Sequence, residues 1–551
     1  MKRTVKLALT LMLCLSMLLT AACGGATPAA SSPASPKASE TASASASSEA
    51  ASTEAAPDGA KLYGGVDISE PAEIVYYHLG DTPADLEKVL DYVNNTYLVP
   101  KVNAKLVVNF LPWSDWQTKY SLTLAGGDQI DLMYTSDWAN YSSESAKGAF
   151  LEITPEFVAK CMPLTAAKQV AASWDEVKIS GKMFAVPQSK INHNDSMVVI
   201  RDDLRTKHNL PEITDTDTYE QYLFAIAQKE DGIIAYNASK DNIDHANLYY
   251  YQDMNKVDIG YDFVYNYKDD KTIPSVDEVM YSFFDPDYTT FLKRMVTWAQ
   301  KGVFPKNALN NDIQVRDSFQ NGKSAALAWN FTVYSAGKQM RANNAEWVPG
   351  YYDITPNGLH KPMKYSNDCI AIAAVSEQPE RAAAVLDLMK FDPDVSFTLR
   401  TGLENMHWKA SGSSEFTQIT ENLANYNTDA WTWAIRPTDD YFEGLVPGFR
   451  KLLGDGSDEQ VKQDEMTKKW TAVYKNPPLR AFRFDETPVK NELAAVNALR
   501  DQYIPALRLG MAGDVDAKLA EFRKAAEGAG LDKITTEFRT QLSKYIADTY
   551  K

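Results

Sequence analysis

Residues 74–93, IVYYHLGDTPADLEKVLDYV, open the pattern that decides the fold. Ile74-Val75-Tyr76-Tyr77 is a short apolar run stopped at Gly80, which reads as a strand. Asp81-Thr82-Pro83 then supplies a helix start with an early proline, and Leu86, Val89, Leu90 and Val93 fall on one helical face. The alternation continues with a second strand, LVVNF at 106–110, and a second helix over 113–124 closed by Gly126-Gly127. IDLMY at 130–134 is the third strand. A β-α-β-α-β order predicts a parallel sheet covered by helices on both faces. Ligands of such sheets bind beyond the carboxyl ends of the strands, here residues 77–80, 112–116 and 135–141. Trp113, Trp116, Trp138 and Tyr141 fall in or beside those segments.

Farther along, residues 181–187 predict a hairpin strand, 197–200 another, and 216–229 an amphipathic helix. Residues 324–329, SAALAW, read as a buried strand ending in an aromatic residue; 369–373 read as another, followed by a helix over 379–390. From Thr487-Pro488 onward the pattern is helical, with breaks at 510–513 and 528–530. No repeat of fixed period is visible.

The first 25 residues, MKRTVKLALTLMLCLSMLLTAACGG, are of a different kind. Lys2 and Arg3 precede an apolar run over 7–19 that is short for a membrane span, the pattern of an export signal. Leu19-Thr20-Ala21-Ala22-Cys23 resembles a bacterial lipobox, with Thr20 where leucine is commonest. That resemblance implies removal of residues 1–22 and lipidation of Cys23, which would hold the chain on the extracytoplasmic face of a cell membrane, at a Gram-positive-type surface. The alternatives are an ordinary signal peptide cut after Ala22, or a retained anchor. Residues 26–60 are almost entirely Ala, Ser, Thr, Pro and Glu, with no aromatic side chain to bury, so 23–60 is expected to be a disordered tether. A coil of that length spans about 35 Å. A plain linker with no length requirement fits equally.

Composition bounds the rest. The remaining chain is long enough for two or three domains with a sizeable core. A net charge of −17, with no basic stripe, argues against nucleic acid as a partner. Eleven Trp and 29 Tyr in an exported chain raise the expectation of carbohydrate stacking, although core packing uses the same residues. Beyond the leader only Cys161 and Cys369 remain, which argues against a disulfide scaffold; two buried thiols are expected over one bridge. H-E-x-x-H, G-x-S-x-G, Walker and G-x-G-x-x-G motifs are absent, so no catalytic residue and no cofactor is assigned. Six unclustered histidines give no metal site. Residues 455–459, DGSDE, fail the calcium-loop pattern at Gln460 and Met466 and read as a solvated turn.

Several short segments, in order, carry a family resemblance. They are Leu79-Gly80-Asp81-x-Pro83-x-Asp85, Gly126-Gly127-Asp128-x-x-Asp131, Gly181-Lys182-x-x-Ala185-Val186-Pro187 and Ile200-Arg201-Asp202. Asn367-Asp368-Cys369-Ile370-Ala371-Ile372, Gly402-Leu403-Glu404-Asn405-Met406-His407-Trp408 and Phe482-Arg483-Phe484-Asp485 continue the series. Behind a lipobox, they resemble the extracellular solute-binding lipoproteins of ABC transporters, in the large sugar-type class and its LipO-like group with an extended C-terminal domain. The resemblance implies an α/β, two-lobe periplasmic-binding-protein-like fold (type II, sugar-binding class) with a helical C-terminal extension. It implies lobe 1 over 61–195 with parts of 326–390, lobe 2 over 196–325, and a C-terminal region, 391–551, packing mainly on lobe 2. Crossings between lobes are expected near 190–201, 320–329 and 389–400. The implied function is capture of a carbohydrate, an oligosaccharide in particular, by a monomer that delivers it to ABC permease subunits. A surface-anchored glycan-degrading enzyme and a ligand-sensing partner of a membrane kinase are the alternatives.

A sugar offers an apolar face and a ring of hydroxyls, so its site needs stacked aromatics edged by carboxylates and amides. Trp138, Tyr141 and Trp329 lie just past strand ends and are candidates, with core packing as the alternative. Trp431 and Trp433, with Arg436, form the densest aromatic cluster, either stacking platform or C-terminal core. Asp128, Asn367 and Asp368 border strands as hydroxyl partners or turn caps. Asn405, His407 and Trp408 are singled out only by the family-like segment.

Overall fold

The computed structural model describes residues 61–190, 193, 195–240, 245–311, 313–410, 416–422, 425–426, 431–438, 441 and 457–550. The leader, Cys23, the tether, and Asp455 and Gly456 lie outside them. Nine strands build the two main sheets: β1 (Ala72–Leu79), β2 (Ala104–Leu111), β3 (Leu132–Thr135), β4 (Val186–Pro187), β5 (Met197–Arg201), β6 (Ile234–Tyr236), β7 (Ser324–Trp329), β8 (Pro349–Tyr352) and β9 (Cys369–Ile372). The principal helices are α1 (Leu86–Val93), α2 (Trp116–Ala125), α3 (Thr216–Lys229), α4 (Pro286–Gln300), α5 (Thr332–Asn343), α6 (Pro379–Phe391), α7 (Pro393–Thr401), α8 (Asp458–Val473), α9 (Lys490–Arg508), α10 (Val515–Gly528) and α11 (Leu531–Thr549).

The first sheet has the order β2-β1-β3-β9-β4. Strand β1 pairs in parallel with both β2 and β3, as the opening alternation predicts. Its helix α1 begins at Leu86 rather than directly after Asp81, and buries Leu86, Val89, Leu90 and Val93. Antiparallel β9 then joins β3 to β4. The second sheet has the order β6-β7-β5-β8, with β6 parallel to β7 and the other pairs antiparallel. In β7 the run from Ser324 to Ala328 is fully buried, because β6 and β5 flank it on both sides. Each sheet sits in its own apolar core.

The core memberships redraw the expected boundaries. Strands β7 and β8 and helix α5 belong to the second core, so residues 326–352 lie in lobe 2 rather than lobe 1. The C-terminal region divides: Val395, Leu399, Tyr426, Trp431 and Ile435 pack in the first core, and α8 to α11 pack in the second. There Phe538 stacks on Phe263 with ring centroids 4.1 Å apart. Two crossings between lobes join the sheets, one between Pro187 and Met197, near the first expected crossing, and one over 353–368; by core membership a further passage to lobe 2 lies between Ile435 and α8. Residues 320–329 cannot be a crossing because they include a central strand, and 389–400 cannot because α6 and α7 are buried in lobe 1.

Register shows where the crossings run. Pro187 pairs with Cys369, which pairs with Thr135 at the carboxyl end of β3. On the other side Met197 pairs with Trp329 at the carboxyl end of β7, and Val198 with Tyr352. Both crossings therefore join the carboxyl-end face of one lobe to that of the other. Gln252 ties them together: its amide donates to the Ser196 carbonyl (3.0 Å) and the Thr355 hydroxyl (2.9 Å). Asp195 on one crossing also lies 3.2 Å from Nδ1 of His360 on the other. Cys161 and Cys369 are free and buried.

Candidate functional site

At the carboxyl ends of β1, β2 and β3 the chain builds a wall of indoles. Trp113 and Trp138 are each 44% exposed. Trp433 stacks on Trp113 at 5.6 Å and 11°, and Trp116, the first residue of α2, meets Trp138 edge-on at 5.7 Å. Gly80 adjoins the wall. Its φ of +123° ends β1, and a β-carbon there would sit 3.4 Å from the Trp113 indole nitrogen. Trp138 is held by its indole N–H donating to the Asn367 carbonyl (3.1 Å). Behind the wall His78 is fully buried among Tyr134, Phe110, Trp431 and Trp433. Burial pushes its imidazole down to about 3, so it backs the wall as a neutral ring.

Beside the wall lies a cavity of about 250 Å³ lined by both lobes and both crossings. Asp137 and Asn367 come from the first-lobe side, Tyr251 and Asp258 from the second, Lys361 and Lys364 from the second crossing, and Arg480 from the C-terminal region. Two arginines of that region reach across to lobe 1. Arg483 pairs with Asp137 at 2.6 Å and donates to the Glu176 carbonyl at 2.7 Å. Arg480 pairs with the Glu176 carboxylate and donates to the Pro362 carbonyl at 2.8 Å. The segment is anchored in lobe 2 by Phe482 and Phe484, so it links the lobes independently of the crossings.

The sequence candidates separate cleanly. Trp138, Asn367 and Trp433 lie at the wall and cavity. Asp368 is buried there, accepting the Tyr134 hydroxyl (2.7 Å), and burial raises its carboxyl above the ordinary range. Arg436 is half-buried beside it, its charge lowering that carboxyl, and its carbonyl accepts the Ser189 N–H. Trp329 ends β7 half-buried on the matching face of lobe 2.

Six candidates lie elsewhere. Tyr141 is fully buried, donating to the Val177 carbonyl, because the turn after β3 folds it inward. Asp128 precedes β3 and so sits at the amino end of the parallel strands, away from the cleft. Trp431 is core, donating to the Tyr426 hydroxyl (2.9 Å). His407 is buried, accepting the Leu403 N–H and lying 3.3 Å from Asp85; Asn405, in left-handed conformation, forms the preceding turn. Trp408 starts a short hairpin and donates to the Gly402 carbonyl. Residues 457–459 open α8: Ser457 caps it and Glu459 is buried against Arg341, which replaces the expected solvated turn.

Trp113 is the main residue the sequence reading left off its candidates, although its place at a strand end is visible there. Lys361 and Lys364 carry no motif, and only the fold brings them to the cavity.

A two-lobe α/β molecule with a helical C-terminal extension has close structural counterparts. The N-glycan transport solute binding protein (NgtS) from Streptococcus pneumoniae, in complex with Man1GlcNAc, superimposes with a TM-score of 0.64 at 22% identity, over 86% of this chain and 100% of that one. The fold is that of a two-lobe solute-binding protein. The S. pneumoniae solute-binding protein FusA, in complex with kestose, gives a TM-score of 0.61 at 16% identity, over 87% of this chain and all of FusA. By sequence, a carbohydrate ABC transporter substrate-binding protein of S. pneumoniae serotype 4 is 23% identical over 486 residues, 87% of this solute-binding-protein-like chain and 92% of the relative. Residues 478–547 match the family described as a domain of unknown function, DUF3502. That stretch contains Arg480, Arg483, α9, α10 and most of α11.

Proposed function

We propose that this protein captures an oligosaccharide between its lobes and delivers it to an ABC importer, without cleaving it. The observation that carries this reading is the indole wall at the strand ends, joined through Trp138 and Asn367 to a cavity lined from both lobes. Exposed, mutually braced indoles suit the apolar faces of sugar rings, and the surrounding amides and charges suit their hydroxyls. A site divided between lobes is completed only by closure, so ligand shifts the population toward the closed form by its differential affinity for it. The relatives support the class of ligand: NgtS and FusA are solute-binding proteins whose structures hold Man1GlcNAc and kestose.

Delivery to a permease needs the protein at the membrane. No helix among the described residues is long and apolar enough to cross one, and the lipobox-like segment supports attachment through lipid on Cys23. A thermal-shift screen of the purified protein against a glycan panel, with mass analysis of every hit, tests the reading. A rise in melting temperature with the glycan intact supports capture. Cleaved product would make the protein an enzyme, and no shift with any glycan would remove the carbohydrate assignment. Labelled palmitate incorporation that is lost in C23A tests the anchor.

A further inference from the structure

The charged groups around the interlobe cavity are not all paired with one another. Asp137 is taken by Arg483 at 2.6 Å and also accepts the Ser366 hydroxyl at 2.8 Å. Arg480 is taken by Glu176, and Asp195 by His360 at 3.2 Å. Asp258 accepts the Gly260 N–H at 2.7 Å, a turn contact. Lys361 and Lys364 remain. Among the described residues neither ammonium has a carboxylate within ion-pair distance, a hydrogen-bond acceptor or an aromatic ring. The nearby carboxylates act on them only through longer-range fields: Asp195 and Asp258 on Lys361, and Asp137, Asp258 and Glu176 on Lys364, opposed by Arg480 and Arg483 respectively.

Desolvation is the larger effect on both lysines, and it pushes both below the ordinary lysine value. Two ammonium groups drawn partly out of water, with Asp258 the one lining carboxylate not already taken, form a site with an electrostatic demand. The lining carboxylates Asp137, Asp195 and Asp258 match the lining cations in number, yet none stands within ion-pair distance of either lysine. Pro362 between the lysines restricts the backbone that sets their spacing.

We infer that the cavity takes an anionic substituent of the glycan, a carboxylate or sulfate, between Lys361 and Lys364 while the neutral rings lie along the indole wall. This rests on the carbohydrate reading above and narrows it to acidic oligosaccharides. The segment 353–368 is also a crossing between lobes. An anion seated on it contacts the part of the chain that moves with closure.

The test is an array of neutral glycans and of uronate-, sialate- and sulfate-bearing glycans. Calorimetric titration of the full chain with the strongest binder and its uncharged counterpart follows, alongside inorganic sulfate alone. The expected result is that the anionic member binds at least tenfold more tightly than its neutral counterpart. That gap should close in the K361M/K364M double variant and persist in K361R/K364R. Strongest binding by neutral glycans, a gap that survives K361M/K364M, or an equal response to free sulfate would each overturn the inference while leaving carbohydrate capture intact. No binding by any glycan would instead sink the carbohydrate reading on which it rests.

Discussion

Each lobe carries one histidine sealed in aromatic surroundings, and together they set an expected acid response. His78 lies in the first core; His245 lies in the second, 4.2 Å from the Tyr236 ring and 4.7 Å from Trp298. Burial pushes both down to about 3. In the unfolded chain they titrate near the ordinary value of about 6.5. Between those values the unfolded state binds more protons, so stability falls as pH is lowered, and nothing is lost above about 6.5. Lowering pH from 7.5 to 5.5 gives the unfolded histidine a proton-binding advantage of about RT ln 10, about 1.4 kcal/mol for each site. His360 works the other way. Burial depresses it, but Asp195 and Asp353 outweigh that and raise it, so its contribution is present in acid and lost as pH rises through its folded value. The wild-type pH profile is therefore a sum of opposing effects, and variants must isolate each one. Urea unfolding followed by tryptophan fluorescence at the two pH values should show that H78F and H245F each lose about 1.4 kcal/mol of the difference, whatever their absolute stability. An unchanged difference in either variant would mean that the folded protein accepts that proton, and the argument from burial would fail for that site.

Other expectations follow from the wall and from a latch, the ion pairs that Arg480 and Arg483 make with Glu176 and Asp137 of lobe 1. Trp113 leaves about 110 Å² uncovered (44% of roughly 250 Å²). A sugar covering half of that gains about 1.4 kcal/mol, so W113A should weaken glycan binding about tenfold by calorimetry, with little change in melting temperature. G80A combines a left-handed φ with a contact on that indole. It should cost about 1–3 kcal/mol in denaturation and reduce binding as well; binding at wild-type strength would argue that the wall tolerates the shift. R483L leaves Asp137 without its partner in a partly buried setting and should destabilise by about 3 kcal/mol, while D137N/R483L should recover a measurable part. Cys161 and Cys369 should resist iodoacetamide in the native protein and react in urea; rapid native labelling would contradict their burial.

The strand-helix alternation of residues 74–134 was legible because apolar periodicity and Gly/Pro punctuation are local signals. The elements at 216–229, 324–329 and 379–390 were legible for the same reason. What local signals could not supply was which core an element joins. Residues 324–329 read as a buried strand, yet nothing in them says that they pair with β5 instead of crossing between lobes. Tyr141 and Trp138 lie three residues apart past one strand end, and only the turn's geometry sends one inward and leaves the other at the wall. Trp431 and Trp433 divide likewise: alternate residues of one short segment, one sealed against Tyr426 and the other stacked on Trp113. The lysines at the cavity were invisible because their chemistry lies in the absence of partners, which is a property of three-dimensional surroundings.

The same surroundings give the C-terminal extension a role that packing alone would not require. Its helices are held in the second core by Phe482, Phe484, Phe522 and Phe538, so that end moves with lobe 2. Arg480 and Arg483 engage Glu176 and Asp137 of lobe 1, and Asp137 is itself part of the cavity lining and precedes Trp138. Closure around a ligand and formation of these ion pairs therefore draw on the same face of lobe 1. Arg480 also donates to the carbonyls of Pro362 and Met363, between the two cavity lysines, which ties the latch to the crossing. A ligand that stabilises the approach of the lobes should stabilise these contacts, and weakening them should lower ligand affinity even though neither Glu176 nor Arg483 lines the cavity. E176Q provides the sharper case, since it removes the charge but keeps an acceptor for Arg480. Glycan affinity in E176Q should fall with the indole wall intact, and equal affinity in wild type and E176Q would show that the extension is packing alone.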